Sequence, residues 1–210
     1  MSDRELAWRY SEELVNEPQE IALARQHSLE QGVDAVSPGT GAQLAVIAAA
    51  SAAKSIVEIG TGLGVSGLWL FRGAPDATLT TIDSELDYQQ NARKAFLDAG
   101  IAGARARLIT GRALEVLPRM NDGSYDLVFI DADPASVIEY VEHGLRLARV
   151  GGTVLVAHAL WRGRVADPAQ RDGTIGLYRT LLKEISQSTA VVSSLSLAGD
   201  GLLQLTKLSV

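Results

Sequence analysis

From Ser55 onward, short apolar runs alternate with segments that are long enough to form helices. Five of these runs have the length of a β-strand: IVEIG, TLTTID, RARLIT, YDLVFID and GTVLVAH. Apolar runs that alternate with helical segments are typical of βαβ units, which form a mostly parallel sheet covered on both faces. The pattern therefore predicts an α/β fold.

The C-terminal end departs from this alternation. The runs AVVSSLSL and LLQLTKL are separated only by the turn residues 198–201, which are too few for a helical crossover. Two strands joined by so short a connection run antiparallel. We therefore expect a sheet of seven strands, in which five parallel strands are followed by an antiparallel hairpin.

The first 33 residues are mostly polar and carry a helical pattern. Leu6, Tyr10 and Leu14 recur on one face of a first helix. A break is expected near Pro18, and a second helix should end at Gly32. An arm of this kind covers or pairs with another surface.

We expect one domain over residues 1–210, with an N-terminal helical arm at 1–33 and a Rossmann-like core at 34–210. The core should start with a turn, S-P-G-T-G at 37–41. The next residues, 42–53, are almost all small and apolar, as in a helix buried against a sheet.

Composition excludes several classes of function. With 25 acidic and 19 basic side chains the net charge is −6, which argues against nucleic acid as a partner. The chain has no cysteine, so disulfides, thiolate metal sites and a cysteine nucleophile are excluded. No apolar run is long enough to span a membrane and no secretory leader is recognisable. We expect a cytoplasmic protein without a membrane partner.

The stretch VEIGTGLGVSG contains two overlapping glycine patterns. Gly62, Gly64 and Gly67 have the G-x-G-x-x-G spacing of a dinucleotide-binding turn, in which a pyrophosphate lies at a helix N-terminus. Gly60, Gly62 and Gly64 form a second pattern, with Glu58 two residues before its first glycine. That pattern resembles the first motif of class I methyltransferases, which use S-adenosylmethionine (SAM).

Other residues help to choose between the two patterns. In a dinucleotide-binding turn Glu58 would be a charged group inside a strand without a role, which is unfavourable when buried. Asp83, about 20 residues after the glycine turn, can accept hydrogen bonds from ribose hydroxyls and suits an NAD or a SAM enzyme equally. No tyrosine is followed by a lysine four residues later, as in short-chain dehydrogenases. The C-terminal hairpin also favours methyl transfer.

Motifs along most of the chain occur in the order of one family. The stretches concerned are VEIGTGLGVSGLWL, TLTTIDSE, LITGRALEVL, YDLVFIDADP, GGTVLVAH, LWRGRVADP and GDGLL. From about Val36 to the C-terminus they resemble the SAM-dependent O-methyltransferases related to caffeoyl-CoA and catechol O-methyltransferases, in the bacterial branch. The resemblance implies a Rossmann-like class I methyltransferase fold with N-terminal helices, and a homodimer.

The resemblance also implies which residues bind SAM. Those that match contacts to its methionine part are Val36, Glu58, Gly60, Thr61 and Ser66. Asp83 matches the ribose ligand, and the backbone of Arg112 and Ala113 matches the segment that meets adenine. The hydroxyl of Ser66 could instead cap the helix that begins there, and the sequence leaves both roles open.

Asp131 and Asp133 end the fourth predicted strand, at the edge where open α/β sheets bind ligands. The resemblance implies that Asp131 contacts SAM and ligates a divalent metal, and that Asp133 faces the substrate. The family completes its metal site with an Asp-Asn pair, where this chain has His158 and Ala159. Mg²⁺ requires oxygen ligands, so tight magnesium binding is not expected. An imidazole and one carboxylate could still suit a softer metal such as Zn²⁺ or Mn²⁺, but two ligands are few, and a divalent metal cofactor is therefore doubtful.

We therefore expect a SAM-dependent O-methyltransferase that acts on a small molecule with a hydroxyl group, and Trp161 should contact that acceptor. His158 and Asp131 are the predicted catalytic residues, with the imidazole as the base of the acceptor or as a cation in place of the metal. His158 could instead merely fill the vacated site. Two further functions stay open: a SAM-binding regulatory dimer without methyl transfer, and a nucleotide-dependent dehydrogenase.

Overall fold

The computed structural model describes residues 2–209, which contain a seven-stranded sheet. Its strands are β1 (Ser55–Ile59), β2 (Thr78–Asp83), β3 (Ala106–Thr110), β4 (Tyr125–Ile130), β5 (Ala148–Val156), β6 (Val191–Ser196) and β7 (Leu202–Lys207). Their order across the sheet is β3-β2-β1-β4-β5-β7-β6, and β7 runs antiparallel to both of its neighbours. The other neighbouring strands are parallel. The predicted mostly parallel sheet with a C-terminal hairpin is therefore confirmed.

Eight α-helices accompany the sheet in this part of the chain. They are α1 (Asp3–Glu13), α2 (Gln19–Glu30), α3 (Pro38–Ala50), α4 (Val65–Gly73), α5 (Leu86–Asp98), α6 (Ala113–Val116), α7 (Val137–Leu147) and α8 (Gly173–Gln187). The predicted break near Pro18 is confirmed, because α1 ends at Glu13 and α2 begins at Gln19. Proline lacks the N–H group that a continuous helix would need there. Within residues 2–209, no helix combines the length and the apolar character needed to cross a bilayer.

Helix α3 begins at Pro38 rather than at residue 42. The hydroxyl of Ser37 accepts a hydrogen bond from the N–H of Thr40 at 3.2 Å and so caps the helix. Proline is well suited to the first helical position, where its missing N–H would have no partner inside the helix. The prediction of a separate turn at residues 37–41 was therefore wrong, since these residues are the cap and first turn of α3.

Two connections between strands differ from the helix-length segments that the sequence pattern predicts. After β3, helix α6 has only four residues and leads into a 3-10 turn that contains Pro118, whose ring is incompatible with a helix interior. After β5, residues 157–172 form turns before α8 begins. Both connections lie at the carboxyl edge of the sheet and supply residues to the cavities described below.

The two faces of the sheet carry separate buried clusters. Ile56 belongs to the cluster covered by α2 to α5, whereas Val57 and Ile59 belong to the cluster covered by α6 to α8. Because side chains alternate along a strand, Glu58 points to the same face as Ile56, toward α4. The alternation thus places a carboxylate inside the core, immediately before the glycine turn.

Candidate active site

The turn between β1 and α4 depends on three glycines. Gly60, Gly62 and Gly64 have φ angles of 93°, 49° and 92°, a left-handed region that glycine adopts far more readily than other residues. Gly67 instead lies inside α4, where a Cβ atom would come within 2.6 Å of the ring of Phe96. Gly60, which belongs only to the methyltransferase pattern, is therefore one of the three left-handed glycines of the turn. Gly67 serves the packing of α4, a role that either pattern allows.

The carboxylate of Glu58 is fully buried behind this turn. It accepts hydrogen bonds from the hydroxyls of Ser66 and Thr81, both at 2.6 Å. Burial raises the pKa of Glu58 to about 7, against the opposing effect of these two donors. Gly64, not Ser66, occupies the cap position of α4. The structure thus places Glu58 beneath the wall of the site, with Ser66 between it and the cavity.

Thr61 joins the glycine turn to the buried network around Glu58. Its hydroxyl lies 2.6 Å from the hydroxyl of Thr81 and accepts a hydrogen bond from Nε2 of Gln89 at 2.8 Å. Its backbone N–H donates to Oδ2 of Asp83 at 3.0 Å, as does the N–H of Gly62. The side chain of Thr61 therefore fixes the turn to the buried hydroxyl network, and its backbone N–H fixes the turn to Asp83.

Two adjoining cavities open at the carboxyl edge of the sheet, and Gly60, Asp83 and Ala132 line both. Their volumes are about 460 Å³ and about 450 Å³, within the usual range for small-molecule sites. The first is lined by the predicted residues Val36, Gly60, Thr61, Ser66, Asp83, Asp131, His158 and Trp161. The second is lined by the predicted residues Gly60, Asp83, Arg112, Ala113 and Asp133. The structure therefore brings together every predicted site residue except Glu58, which lies behind the lining.

Asp131 and Asp133 both follow β4 but border different cavities. Asp131 lies in the first cavity, where burial raises its pKa and the neighbouring His158 opposes that shift. Asp133 is exposed and accepts hydrogen bonds from the N–H of Ala135 at 3.2 Å and the hydroxyl of Ser136 at 3.0 Å. It borders the second cavity, which His158 does not line.

His158 lies between two carboxylates. Its Nε2 is 3.4 Å from Oδ1 of Asp131, and its Nδ1 is 3.5 Å from Oδ2 of Asp200. Both distances are longer than those of ordinary N–H···O hydrogen bonds, and each contact is an ion pair only when the imidazole is protonated. The residue follows β5 in a left-handed conformation, with φ of 56°, and its side chain is 36% exposed. The ring is thus flanked by negative charge and accessible from the first cavity.

This arrangement does not suit a hard divalent cation. The two carboxylates face opposite nitrogens of one imidazole, so they do not converge on a common point. Ala159 offers no side-chain donor where the family pattern has an amide. Among residues 2–209, no group of three His, Cys, Asp or Glu side chains is placed to hold a metal ion. Magnesium needs near-octahedral oxygen ligands, and the donor set beside His158 does not provide them.

Trp161 forms part of the outer wall of the first cavity. Its ring stacks on that of Tyr178, with centroids 5.6 Å apart and planes 26° apart. Burial raises the pKa of Tyr178, and the nearby carboxylates raise it further, so its hydroxyl stays neutral. The next residue, Arg162, reaches Asp34 at 3.6 Å. This exposed ion pair connects the loop after β5 to the segment before α3.

Sequence reasoning gave no role in the site to Asp200, which lies in the Gly-Asp-Gly turn between β6 and β7. A signal for its role was present in the predicted topology. If β7 pairs antiparallel with β5, then the start of β7 lies beside the end of β5. The observed pairing of Leu203 with Val156 has this geometry. The turn before β7 therefore lies next to His158.

Comparison with known proteins supports a common family. A family model described as O-methyltransferase matches residues 10–208. A relative from Mycobacterium sp. (strain JLS), a predicted O-methyltransferase, is 45% identical over 195 residues, which are 92% of this chain and 89% of the relative. A relative from Mycobacterium tuberculosis (strain H37Rv), also a predicted O-methyltransferase, is 44% identical over 200 residues, 95% of this chain and 89% of the relative.

Solved structures show the same fold. A protein from Corynebacterium glutamicum has a TM-score of 0.90 and 29% identity, with 100% of this chain and 99% of that chain covered. The O-methyltransferase TomG from Streptomyces achromogenes, involved in tomaymycin synthesis and solved with SAM, has a TM-score of 0.85 and 29% identity, with both chains covered at 100%. These matches overturn the dehydrogenase alternative. The chain belongs to the O-methyltransferase family.

Proposed function

We propose that this protein transfers the methyl group of SAM to an oxygen of a small hydroxylated molecule, with His158 in place of a metal ion beside that oxygen. The observation that carries the proposal is the position of His158, which lines the first cavity and contacts Asp131. Where the family pattern has oxygen ligands for a metal, this chain has a group that can accept or carry a proton.

The junction of the two cavities suits the ribose of SAM. An ionised carboxylate offers about four acceptor positions. Asp83 uses three of these positions to accept hydrogen bonds from the backbone N–H groups of Thr61, Gly62 and Glu85. One position is left for a ribose hydroxyl. Asp83 therefore has two roles in the proposal, since it shapes the glycine turn and binds the cofactor.

The two ends of SAM fit the cavities on either side of that junction. The second cavity, beside the backbone of Arg112 and Ala113, suits adenine. The first contains Val36, Ser66 and the N-terminal end of α4, where free N–H groups and the helix dipole favour a carboxylate. We assign the methionine part to that end. Glu58 stabilises that end of the cavity by accepting a hydrogen bond from the hydroxyl of Ser66.

When bound, SAM supplies a methyl group attached to a positively charged sulfur. His158 accepts the hydroxyl proton of the acceptor at Nε2, which makes the acceptor oxygen a stronger nucleophile. The ring then carries a positive charge, which Asp131 and Asp200 stabilise from either side. Trp161 and the cavity wall orient the acceptor so that its oxygen is in line with the methyl group. Demethylated SAM, with a neutral sulfur, would be the leaving group, and the proton of the acceptor would remain on His158.

Calorimetry and a methyl-transfer assay together test this function. We expect SAM and its demethylated product to bind, NADH not to bind, and transfer of labelled methyl to catechol, used as the test acceptor, to survive EDTA. Binding of SAM without transfer to catechol or to a wider panel of phenols would instead favour a regulatory SAM-binding protein. Activity that is lost in EDTA and restored by Mg²⁺ would contradict the role given to His158.

We further propose that the protein is a cytoplasmic homodimer in which α1 contacts the partner. Leu6, Tyr10 and Leu14 are 51%, 68% and 71% exposed, and burial of such side chains is favourable. Replacing all three by serine should give a monomer in light scattering. This variant is sharper than a truncation, because Ile21 and Ala24 of α2 belong to the core. A triple variant that remains dimeric would contradict the proposal.

A further inference from the structure

We propose that Asp200 is a positioning residue for His158: its carboxylate lies beside Nδ1, favours the form of the imidazole that carries its proton there, and leaves Nε2 as the nitrogen that faces Asp131 and the first cavity. Helix α1 in turn fixes Asp200, because it holds the turn between β6 and β7. The inference rests on the proposed function, since it assigns a supporting residue to the histidine on which that function depends.

The carboxylate of Asp200 is held so that one oxygen faces the imidazole. Its Oδ1 accepts a hydrogen bond from the backbone N–H of Arg162. That bond leaves Oδ2 directed at Nδ1 of His158, 3.5 Å away. The side chain of Asp200 is only 20% exposed, so water screens the contact less than on an open surface. The orientation of the carboxylate is therefore set before any ligand binds.

The backbone around Asp200 is fastened to the segment that follows β5. The N–H of Leu160 donates to the carbonyl oxygen of Asp200 at 3.0 Å, and the N–H of Ala159 donates to that of Gly201 at 2.9 Å. A Cβ atom on Gly201, whose φ is 87°, would lie 2.8 Å from the backbone nitrogen of Leu160. The turn and the segment are thus in close contact, and backbone bonds fix the distance between Asp200 and His158.

Two side chains of helix α1 form hydrogen bonds with Gly199, the residue immediately before Asp200. Nε1 of Trp8 donates to the carbonyl oxygen of Gly199 at 3.2 Å, and the N–H of Gly199 donates to Oε1 of Glu12 at 3.2 Å. The other oxygen of Glu12 accepts a hydrogen bond from the N–H of Gly39 at 2.7 Å. Glu12 therefore ties the turn that carries Asp200 to the first turn of α3. The N-terminal arm supports the site as well as the proposed dimer.

The position of one proton determines what His158 can do. A neutral imidazole carries a proton on one of its two nitrogens. A carboxylate favours a proton on the nitrogen beside it, and Asp131 lies as near to Nε2 as Asp200 does to Nδ1. Burial raises the pKa of Asp131 and so favours its neutral form, whereas the N–H of Arg162 fixes the carboxylate of Asp200 beside Nδ1. The balance favours a proton on Nδ1 and leaves the lone pair on Nε2. After Nε2 accepts the proton of the acceptor, the cationic ring lies between Asp200 and Asp131. Without Asp200, the ring could rotate or carry its proton on Nε2, where it could not act as a base.

Nitrogen NMR of the imidazole rings tests the positioning without an acceptor. The chain has three histidines, so His158→Gln identifies the signals of His158 by their loss. The complex with demethylated SAM is measured at a pH of about 8.5, above the usual histidine pKa. We expect wild-type protein to carry the proton on Nδ1 and Asp200→Asn to carry it wholly or partly on Nε2. Asp76→Asn, at an exposed acid, should match wild-type protein.

Methyl transfer to catechol gives a second measurement. Asp200→Asn should lower kcat by roughly 10²-fold, the lower end of what acid–base catalysis contributes. The Kd for SAM and the KM for catechol should change far less, since neither ligand is held by this contact. Asp200→Glu keeps the carboxylate and should recover part of the rate. Glu12→Gln leaves Asp200 in place and should cause a smaller loss in the same direction.

The two measurements separate failure of the inference from failure of the proposed function. A proton that stays on Nδ1 in Asp200→Asn would overturn the inference, whatever the rates. A displaced proton, together with an unchanged kcat in both Asp200→Asn and His158→Gln, would uphold the positioning contact and contradict the role of His158 as a base. Should Asp200→Asn not fold, Asp200→Ser decides, because it also removes the carboxylate: a proton displaced wholly or partly to Nε2 upholds the inference, and a proton that stays on Nδ1 overturns it.

Discussion

The hydroxyl of Ser66 donates a 2.6 Å hydrogen bond to the buried carboxylate of Glu58, so a residue at the start of α4 is tied to the middle of β1. Thr81 on β2 donates to the other oxygen at the same distance. The glycine turn is therefore built on a buried carboxylate that is neutral or charged depending on pH. This titration links the stability of the fold to the wall of the candidate site.

The stability of the protein should fall as pH rises from about 4.5 to about 7. Burial raises the pKa of Glu58 to about 7 in the folded protein, whereas the unfolded chain releases this proton near the ordinary value of 4.5. Between these values the unfolded chain has lost a proton that the folded protein keeps, so the free energy of unfolding decreases. At 1.36 kcal/mol per unit of pKa, the loss is about 3 kcal/mol. Urea unfolding across this pH range measures it.

The variant Glu58→Gln isolates this contribution. Glutamine has nearly the same size and does not titrate, and the hydroxyls of Ser66 and Thr81 can rotate to suit an amide. The variant should lack the decrease between pH 4.5 and 7 that Glu58 causes, while Asp76→Asn should keep it. Parallel stability curves for wild-type protein and Glu58→Gln would show that Glu58 does not titrate in this range.

Gly60 and Gly62 share a left-handed conformation but should respond differently to alanine. A Cβ atom on Gly60 would overlap the carbonyl oxygen of Asp131, whereas the nearest atom to a Cβ on Gly62 is Cγ1 of Val33 at 3.8 Å. Gly62→Ala should therefore lower the free energy of unfolding only by the strain of a left-handed alanine, about 1 to 2 kcal/mol. Gly60→Ala should lower the Tm much further. Similar Tm values for the two variants would contradict the close approach of β1 and β4.

Asp83→Ala should weaken SAM binding at least tenfold. A hydrogen bond to a charged group is worth about 1.5 to 3 kcal/mol, and the variant also leaves the N–H groups of Thr61 and Gly62 without their acceptor. Calorimetric titration with SAM measures the change. Asp76→Ala is the matched control, since its side chain is 81% exposed. An unchanged affinity in Asp83→Ala would show that the ribose does not lie at Asp83.

Much of the fold could be predicted because strand burial is recorded directly in the sequence. The run TLTTID matches β2 residue for residue, since both neighbours of a central parallel strand are strands and both faces are covered. The start of α3 was misplaced because Pro38 and Gly39 suggest a turn by composition. Their actual conformation follows from capping by Ser37, a local hydrogen bond that composition does not reveal.

The candidate site was predictable where it depends on strand ends and less so where it depends on side-chain direction. Asp83 is the last residue of β2 and His158 comes shortly after β5, so topology alone places them at the same edge. Glu58 also lies on a strand, but its contact with Ser66 turns the carboxylate away from the cavity. Asp200 reaches His158 through a turn that pairs across the sheet, and such contacts between distant segments need the packed structure.

The methyl-transfer rate of His158→Ala in the presence of EDTA, measured together with its affinity for SAM, tests the proposed chemistry most directly. We predict that wild-type protein keeps its activity in EDTA. In the variant, kcat should fall by roughly 10²-fold or more, the contribution expected of a lost base, while the Kd for SAM stays close to that of wild-type protein. A variant that transfers methyl at the wild-type rate would contradict the assignment of His158 as the group that replaces the metal ion.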